Sequence, residues 1–414
     1  MDLDRNSAPD PRVALALPAV GIREVLRGYS GEGSIYEDLA ASAVHGLDWT
    51  AGDIRRRARR VLLAMVEPLC ASWPTTARGW LEFLPASTTP TRQTSRVPDS
   101  GTNWSETRRR HGWPAEAFDG RLRQRTTDEL TLAILSWVAH ELRASALDVR
   151  AHAPLAATAA LDRCEILDEV LQRWPEATPL RPDRADLGAL KGSGYPWRSV
   201  ALVAERLLRA AHDPEFIAFE LLAPEPDNAS RLFHLGVFGL VIRALASHRF
   251  LVTWRRPISG QRPGAQIEAI SPMGARFELW FEAGAARAAH GLPPAAYQQA
   301  VRGIAAVGGV IGADVMLLEP GKRALLLECK YSANATYVGR DGFHQAASYA
   351  LDSMNGVVAD QTWSFVIGPQ EVVAEASAAQ LEQHPGVVLG SASPLQLPDV
   401  VNAFLTNDPV SLAE

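Results

Sequence analysis

Gly312-Ala313-Asp314-Val315-Met316-Leu317-Leu318-Glu319-Pro320-Gly321-Lys322-Arg323-Ala324-Leu325-Leu326-Leu327-Glu328-Cys329-Lys330 is an apolar run broken once, at Pro320 and Gly321. The break predicts a turn and the flanks predict strands, so the stretch reads as a β-hairpin. With Gly321 at the centre of the turn, Asp314 lies directly opposite Glu328, their Cβ atoms about 5 Å apart on one sheet face. Lys330, two residues on, projects from the same face. Two carboxylates and a lysine are poor structural design in an apolar sheet, because like charges repel and each costs free energy to bury unless a cation compensates. A divalent metal resolves the conflict. Carboxylate oxygens with the backbone carbonyl of Cys329 make a hard oxygen site suited to Mg²⁺ or Mn²⁺. Such an ion holds a phosphodiester oxygen and lowers the pKa of bound water, with Lys330 orienting or helping to deprotonate the attacking water.

Lysine scarcity sharpens this reading. The 414 residues carry 41 basic side chains against 47 acids, and only Lys191, Lys322 and Lys330 are lysines. Chance predicts about a third of one acid-x-Lys triplet in such a chain. The net charge of −6 excludes a globally basic nucleic-acid coat. From Leu351 to Glu414 there are eight acids and no Lys or Arg, so a polyanion must approach elsewhere. Length and a 47% apolar content predict two or three domains with ample cores. Cys70, Cys164 and Cys329 lack the spacing of a disulfide framework or a zinc knuckle, and a reducing cytoplasm is expected. The acidic, proline-bearing N-terminus argues against a secretion signal. The longest nearly apolar stretch, Phe233 to Ala246, is 14 residues interrupted by His234 and Arg243, too short and polar for a membrane span.

Periodicity divides the chain. Residues 1–11 read as a disordered tail, and residues 12–225 as a mainly helical accessory domain, binding DNA or a partner. Its best helices are Thr50 to Trp73, Thr127 to Arg143, Ala156 to Trp174 and Trp197 to His212, the second with a capping box from Thr126 and Glu129. Pro85 to Gly101 and Trp174 to Pro196 read as surface loops. Residues 228–414 alternate between helix and strand: an apolar helix Ser230 to Ser247, then strands at Phe250 to Trp254, Gln266 to Ile270, Phe277 to Phe281, Val310 to Leu318 and Ala324 to Tyr331. A helix at Phe343 to Met354 and a strand at Thr362 to Ile367 follow. This predicts an α/β domain, a mixed sheet flanked by helices. On the helix that begins near Phe343, Gln345 and Tyr349 share one face and reach toward the hairpin's active edge over an alanine-rich surface.

Asp314, Glu328-Cys329-Lys330 and Gln345-x-x-x-Tyr349 together resemble the motif set of the PD-(D/E)XK nuclease superfamily, including the Gln-to-Tyr helix of its RecB-like branches. Within it the chain is most similar to McrC-type restriction subunits and related uncharacterised defence nucleases. Gly101-Thr102-Asn103-Trp104-Ser105-Glu106-Thr107 and Thr126-Thr127-Asp128-Glu129 resemble the block such proteins carry ahead of the nuclease domain. The resemblance implies a restriction-endonuclease-like fold, Asp314 and Glu328 as metal ligands, Lys330 as the catalytic lysine, and a separate AAA+ or other NTPase subunit as partner. Ala313 stands where the superfamily usually has proline. The helix Ser230 to Ser247 carries no acid where this fold often supplies one. Glu220 and Glu225 precede it, and Glu278 or Glu282 could substitute from a strand, which leaves one ion or two open.

Arginine supplies the remaining candidates. Arg108, Arg109, Arg110, Arg121, Arg123 and Arg125 lie in one short segment beside Trp104, Trp113 and Phe118, and with Arg340 they are the expected phosphate contacts. Arg55 to Arg60 holds a second cluster. No histidine pair has zinc-hydrolase spacing, and there is no GxxxxGK[ST] nucleotide loop. The expectation is a cytoplasmic metal-dependent DNA endonuclease of bacterial restriction or antiphage defence. The alternatives are a catalytically silent nuclease-fold subunit and an RNA-cleaving effector.

Overall fold

The structure, a computed structural model, describes residues 15–27, 32–41, 49–84, 86–259, 264–293, 299, 312–355 and 359–409. Along the chain run α1 (Ala19–Leu26), α2 (Glu32–Ala41), α3 (Ala51–Ala71), α4 (Ala77–Glu82), β1 (Ala86–Ser95), α5 (Trp104–His111), β2 (Phe118–Thr127), α6 (Glu129–Val149), α7 (Pro154–Leu171), α8 (Arg184–Gly192) and α9 (Trp197–His212). There follow α10 (Pro214–Phe216), α11 (Pro226–Ser247), β3 (Leu251–Trp254), β4 (Ile267–Ile270), β5 (Arg276–Phe281), α12 (Ala286–Ala289), β6 (Val315–Glu319), β7 (Arg323–Cys329), α13 (Gly342–Asn355), β8 (Gln361–Ile367), β9 (Ser377–Leu381), β10 (His384–Ala392) and α14 (Leu397–Thr406).

The chain forms two compact units, one of residues up to Ala58 and from Ala210 onward, the other of Arg59–Arg209. The boundary expected near residue 225 therefore falls inside the first unit. The cause is a contact between glycines. A Cβ on Gly21 would lie 1.9 Å from the Gly236 carbonyl oxygen, and one on Gly239 would lie 1.9 Å from that of Gly21. Bare backbones let α1 lie directly on α11, which ties the N-terminal segment to the C-terminal sheet. The expected tail, residues 1–11, lies outside the described residues.

The first unit is α/β, built on an eight-stranded mixed sheet of order β3-β4-β5-β6-β7-β8-β10-β9. β3 to β7 are antiparallel neighbours, and β7, β8 and β10 run parallel. β6 is buried along its whole length and β7 along all but its first residue, which is why both read as unbroken apolar runs. Alternation along β8 assigns the two faces. Ser364 donates to the Ala346 carbonyl of α13 at 2.8 Å, while its neighbour Trp363 packs edge-on against Phe404 of α14 at 5.8 Å. α11 lies on the α14 side, with Phe238 against Phe281 at 5.5 Å. At 22 residues α11 is long and apolar enough to cross a bilayer, but 83% of its most apolar window is buried as the core helix of this unit.

The second unit is helical apart from the β1–β2 hairpin. Trp80 centres its core, edge-on to Trp73 and Trp197 at 5.7 Å each, and the Trp197 indole N–H donates to the Phe83 carbonyl at 2.7 Å. Each buried indole contributes about 3 kcal/mol of transfer free energy. Three expectations are corrected here. The loop expected over Pro85 to Gly101 holds only for residues 96–101, because residues 86–95 pair with β2 as strand β1 over ten residues of register. Trp174 to Pro196 contains α8, begun by a capping box of Asp183 and Asp186. α6 starts at Glu129 on an Asp128 cap rather than on Thr126, which is held in β2 opposite Ser87.

Candidate metal centre

Three strand ends meet at one rung of the sheet. Val315 pairs with Leu327, so Asp314, one residue before β6, stands opposite Glu328 of β7, as a turn centred on Gly321 (φ 74°) requires. On the other side Phe281 pairs with Val315, and the ladder continues past β5 when the Glu282 N–H donates to the Asp314 carbonyl at 2.7 Å. Glu282, Asp314 and Glu328 therefore share a rung. Glu282 holds a left-handed backbone, φ 55° and ψ 73°, an arrangement costing of order 1 kcal/mol that persists only when its surroundings impose it.

The imposing group is Gln266. Its side-chain oxygen accepts the Phe281 N–H at 2.8 Å and its amide donates to the Phe281 carbonyl at 3.4 Å. Gln266 is buried and supplies by side chain the pairing that β4 no longer provides there.

Polar side chains converge on the rung. Asp314 Oδ2 accepts the Cys329 N–H at 2.6 Å, and Asp314 Oδ1 lies 3.9 Å from His234 Nδ1 on α11. One ligand atom each from His234, Glu282 and Asp314 falls within 4.8 Å of the others, a grouping that can hold a metal ion. Glu328, 2% exposed, receives the Lys330 ammonium on Oε1 at 2.5 Å, while its Oε2 is buried with no hydrogen-bond partner among the described residues. A buried carboxylate oxygen without a partner among the described residues, next to the Asp314 carboxylate, fits a cation.

Electrostatics agree. Burial pushes the Glu328 carboxyl up to about 7, helped by the neighbouring Asp314 charge, and pushes Asp314 up to about 6 despite the Cys329 N–H and Lys330. Burial acts against the Lys330 ammonium, but the Glu328 carboxylate outweighs it and holds the lysine pKa above its ordinary value. Lys330 is therefore a cation. Its Nζ lies 5.7 Å from the ring centre of Tyr337, in the π-helical turn Tyr337–Asp341.

The structure thus brings Asp314, Glu328 and Lys330 together with residues the motif reading did not single out. His234 interrupts, with Arg243, an apolar stretch of the sequence, and that interruption is its signal. Of the acids offered as substitutes, Glu282 reaches the rung. Glu278 lies opposite Leu318, where it binds His290 at 2.8 Å and the Trp280 indole at 3.0 Å, and Glu225 pairs with Arg57 at 3.3 Å.

α13 begins against the site. A Cβ on Gly342 would lie 3.3 Å from Lys330 Cγ and 2.7 Å from Val366 Cγ1. One turn further on, Gln345 has a buried Oε1 without a partner among the described residues, and Tyr349 packs with Trp280, Met316 and Leu326. Arg340 is exposed and pairs with Asp341 at 3.4 Å. Arg108, Arg109 and Arg110 lie on α5 and Arg121 on β2, all in the second unit; the side chains of Arg123 and Arg125 lie outside the described set.

No family model matches the chain, and no curated protein does. Among solved structures, the chain is similar to a half-complex from the tetradecameric assembly of Thermococcus gammatolerans McrB AAA+ hexamers with bound McrC. That similarity has 10% identity and a TM-score of 0.27, over 94% of this chain and 75% of that one.

Proposed function

We propose that this protein is a metal-dependent phosphodiesterase acting on DNA, with a restriction-endonuclease-like first unit. The observation that carries the reading is the rung of Glu282, Asp314 and Glu328, closed by His234 and Lys330, with a buried carboxylate oxygen that has no partner among the described residues. His234, Glu282 and Asp314 would hold the ion, with Glu328 and the Cys329 carbonyl as further oxygen ligands. The carboxylates fit Mg²⁺ or Mn²⁺, and the imidazole moves the preference toward Mn²⁺. A bound divalent ion supplies polarisation of the scissile phosphate and a water of lowered pKa.

The protein's own groups do the rest. Lys330, kept charged by Glu328, donates to the phosphate and offsets the negative charge that builds on it. Cys329 holds Asp314 by its N–H, which fixes one carboxylate oxygen and leaves the other aimed at His234. Gln345 presents its amide from α13 to the water or the phosphate, and Tyr349 seats that helix on the sheet.

The helix contributes an imidazole where an acid was sought, which favours an active centre over the silent subunit. Action in restriction or antiphage defence, a cytoplasmic setting and a separate AAA+ or other NTPase partner follow from the motif resemblance. The deciding experiment is cleavage of plasmid, single-stranded DNA and RNA with Mn²⁺ or Mg²⁺. Wild type cuts DNA, and Glu328→Ala and Lys330→Ala do not. Wild-type rates from Glu328→Ala overturn the reading, and cleavage confined to RNA transfers it to the RNA-cleaving alternative.

A further inference from the structure

The second unit displays an aromatic and cationic surface that its own packing leaves to solvent. β1 and β2 form a two-stranded sheet, and α5 folds back onto it. The Asn103 N–H donates to the Asp119 carbonyl at 2.7 Å, the Arg121 N–H to the Gly101 carbonyl at 3.1 Å, and the Asp119 N–H to the Thr107 hydroxyl at 2.9 Å. These bonds make a fixed frame. On it Trp104 is 52% exposed and Trp113 66% exposed, their rings 6.5 Å apart, with Phe118 behind Trp104 at 5.8 Å. Indoles are large apolar groups, and two of them held side by side in water point to a ligand.

Charge around the pair is one-sided. Residues 86–127 contain eight arginines and four acids. Three of the acids are turned to local work: Glu106 takes Arg109 at 2.6 Å and Arg110 at 3.0 Å, Asp119 takes the Thr94 hydroxyl at 2.7 Å and His111 at 3.3 Å, and Asp99 accepts the Gly101 N–H at 2.8 Å. Arg108 lies over the Trp113 ring at 5.7 Å, and Arg121 is exposed on β2. Among the described residues neither has an acidic partner.

We propose that this surface binds single-stranded nucleic acid, with unpaired bases stacking on Trp104 and Trp113 and the backbone phosphates on Arg108 and Arg121. Unpaired bases offer the π-faces that exposed indoles need, whereas a duplex hides them in its own stack. A guanidinium lying over an indole still presents its N–H edge outward, where phosphate oxygens accept from it. A protein partner would also bury tryptophans, but the uncompensated arginines favour a polyanion. The proposal is independent of hydrolysis at the metal centre.

The test uses the full chain in EDTA, so that no cleavage intervenes, and a fluorescein-labelled single-stranded oligonucleotide read by anisotropy. Trp104→Ala and Trp113→Ala each weaken binding about ten-fold. Trp113→Tyr, which keeps a π-face, retains most of it. Arg108→Gln lowers the slope of log affinity against log salt by about one. The same sequence as duplex binds more weakly than the single strand. Far-UV circular dichroism identifies any variant that fails to fold, and the Arg108→Gln salt slope then decides. Wild-type affinity in the Trp104→Ala/Trp113→Ala double variant overturns the proposal, as does duplex bound as tightly as single strand. Protection of both indoles by a protein partner that the oligonucleotide does not displace also overturns it.

Discussion

Gln266 grips Phe281 by both backbone groups, accepting its N–H at 2.8 Å and donating to its carbonyl at 3.4 Å, one residue before the left-handed turn at Glu282. A side chain just before β4 thereby sets the direction of a carboxylate just after β5. Gln266→Leu keeps the volume but leaves two buried backbone groups unpaired, at a cost of about 2 kcal/mol. Glu282 then loses its aim. Metal affinity, measured by calorimetry with Mn²⁺, is expected to fall at least about ten-fold although no proposed ligand has changed. Unchanged affinity would mean that Glu282 is outside the coordination shell.

Lys330 and Glu328 form a buried pair, their side chains 6% and 2% exposed. Removing the cation alone strands the acid, so Lys330→Met is expected to lower stability by about 2 kcal/mol in metal-free buffer at about pH 8.5, where Glu328 is ionised. Adding Glu328→Gln restores most of that loss, because a neutral amide needs no counter-charge. Neither variant cleaves DNA. Denaturant melts of the two single variants and the double variant complete the cycle. Additive losses would show that the two side chains do not depend on each other.

The same burial makes the metal-free fold sensitive to alkali. Glu328 rises from its ordinary 4.5 to about 7 and Asp314 from 3.8 to about 6, so the folded state holds these protons more tightly than the unfolded chain. Their stabilising effect is complete below the unfolded values and is lost as pH rises through about 6 to 7. Metal binding needs both groups ionised and runs the other way. Without metal, Tm is expected to fall between about pH 5 and about pH 8, while the rise in Tm caused by saturating Mn²⁺ grows over that window. Differential scanning fluorimetry measures both. A Mn²⁺ increment that does not change with pH would contradict the assignment of these carboxylates as ligands.

The hairpin was legible because its evidence is local. Pro320-Gly321 fixes the turn, the turn fixes the register, and the register puts Asp314 opposite Glu328 with Lys330 next on that face. Glu282 was legible only as one of several acids, since choosing it over Glu278 requires the β5–β6 register across a connection of more than thirty residues. His234 stood in plain view inside an apolar helix. Its meaning depends on where that helix crosses the sheet, which periodicity does not encode. β1 escaped because a strand of Thr, Ser and Pro without an apolar face has the composition of a loop, and its partner β2 lies beyond an intervening helix.

The division into units was misplaced for a similar reason, and it can be tested at one atom. α1 joins the α/β unit through glycines 215 positions apart, Gly21 and Gly236. A methyl group on Gly21 would meet the Gly236 carbonyl at 1.9 Å and Leu240 Cγ at 2.9 Å, so the helices must separate to admit it. Overpacking of this kind costs about 1 to 3 kcal/mol, to which lost apolar contact along α1 adds. Gly21→Ala is therefore expected to lower the Tm of the α/β unit. By contrast, Gly188→Ala, on the exposed side of α8 where no atom lies within 4 Å of the new Cβ, leaves stability unchanged or raises it. Because α11 also carries His234, the same Gly21→Ala variant is expected to bind Mn²⁺ more weakly. Calorimetric unfolding and a Mn²⁺ titration of both variants check this. Full stability and full metal affinity in Gly21→Ala would show that α1 does not lie on α11 in solution.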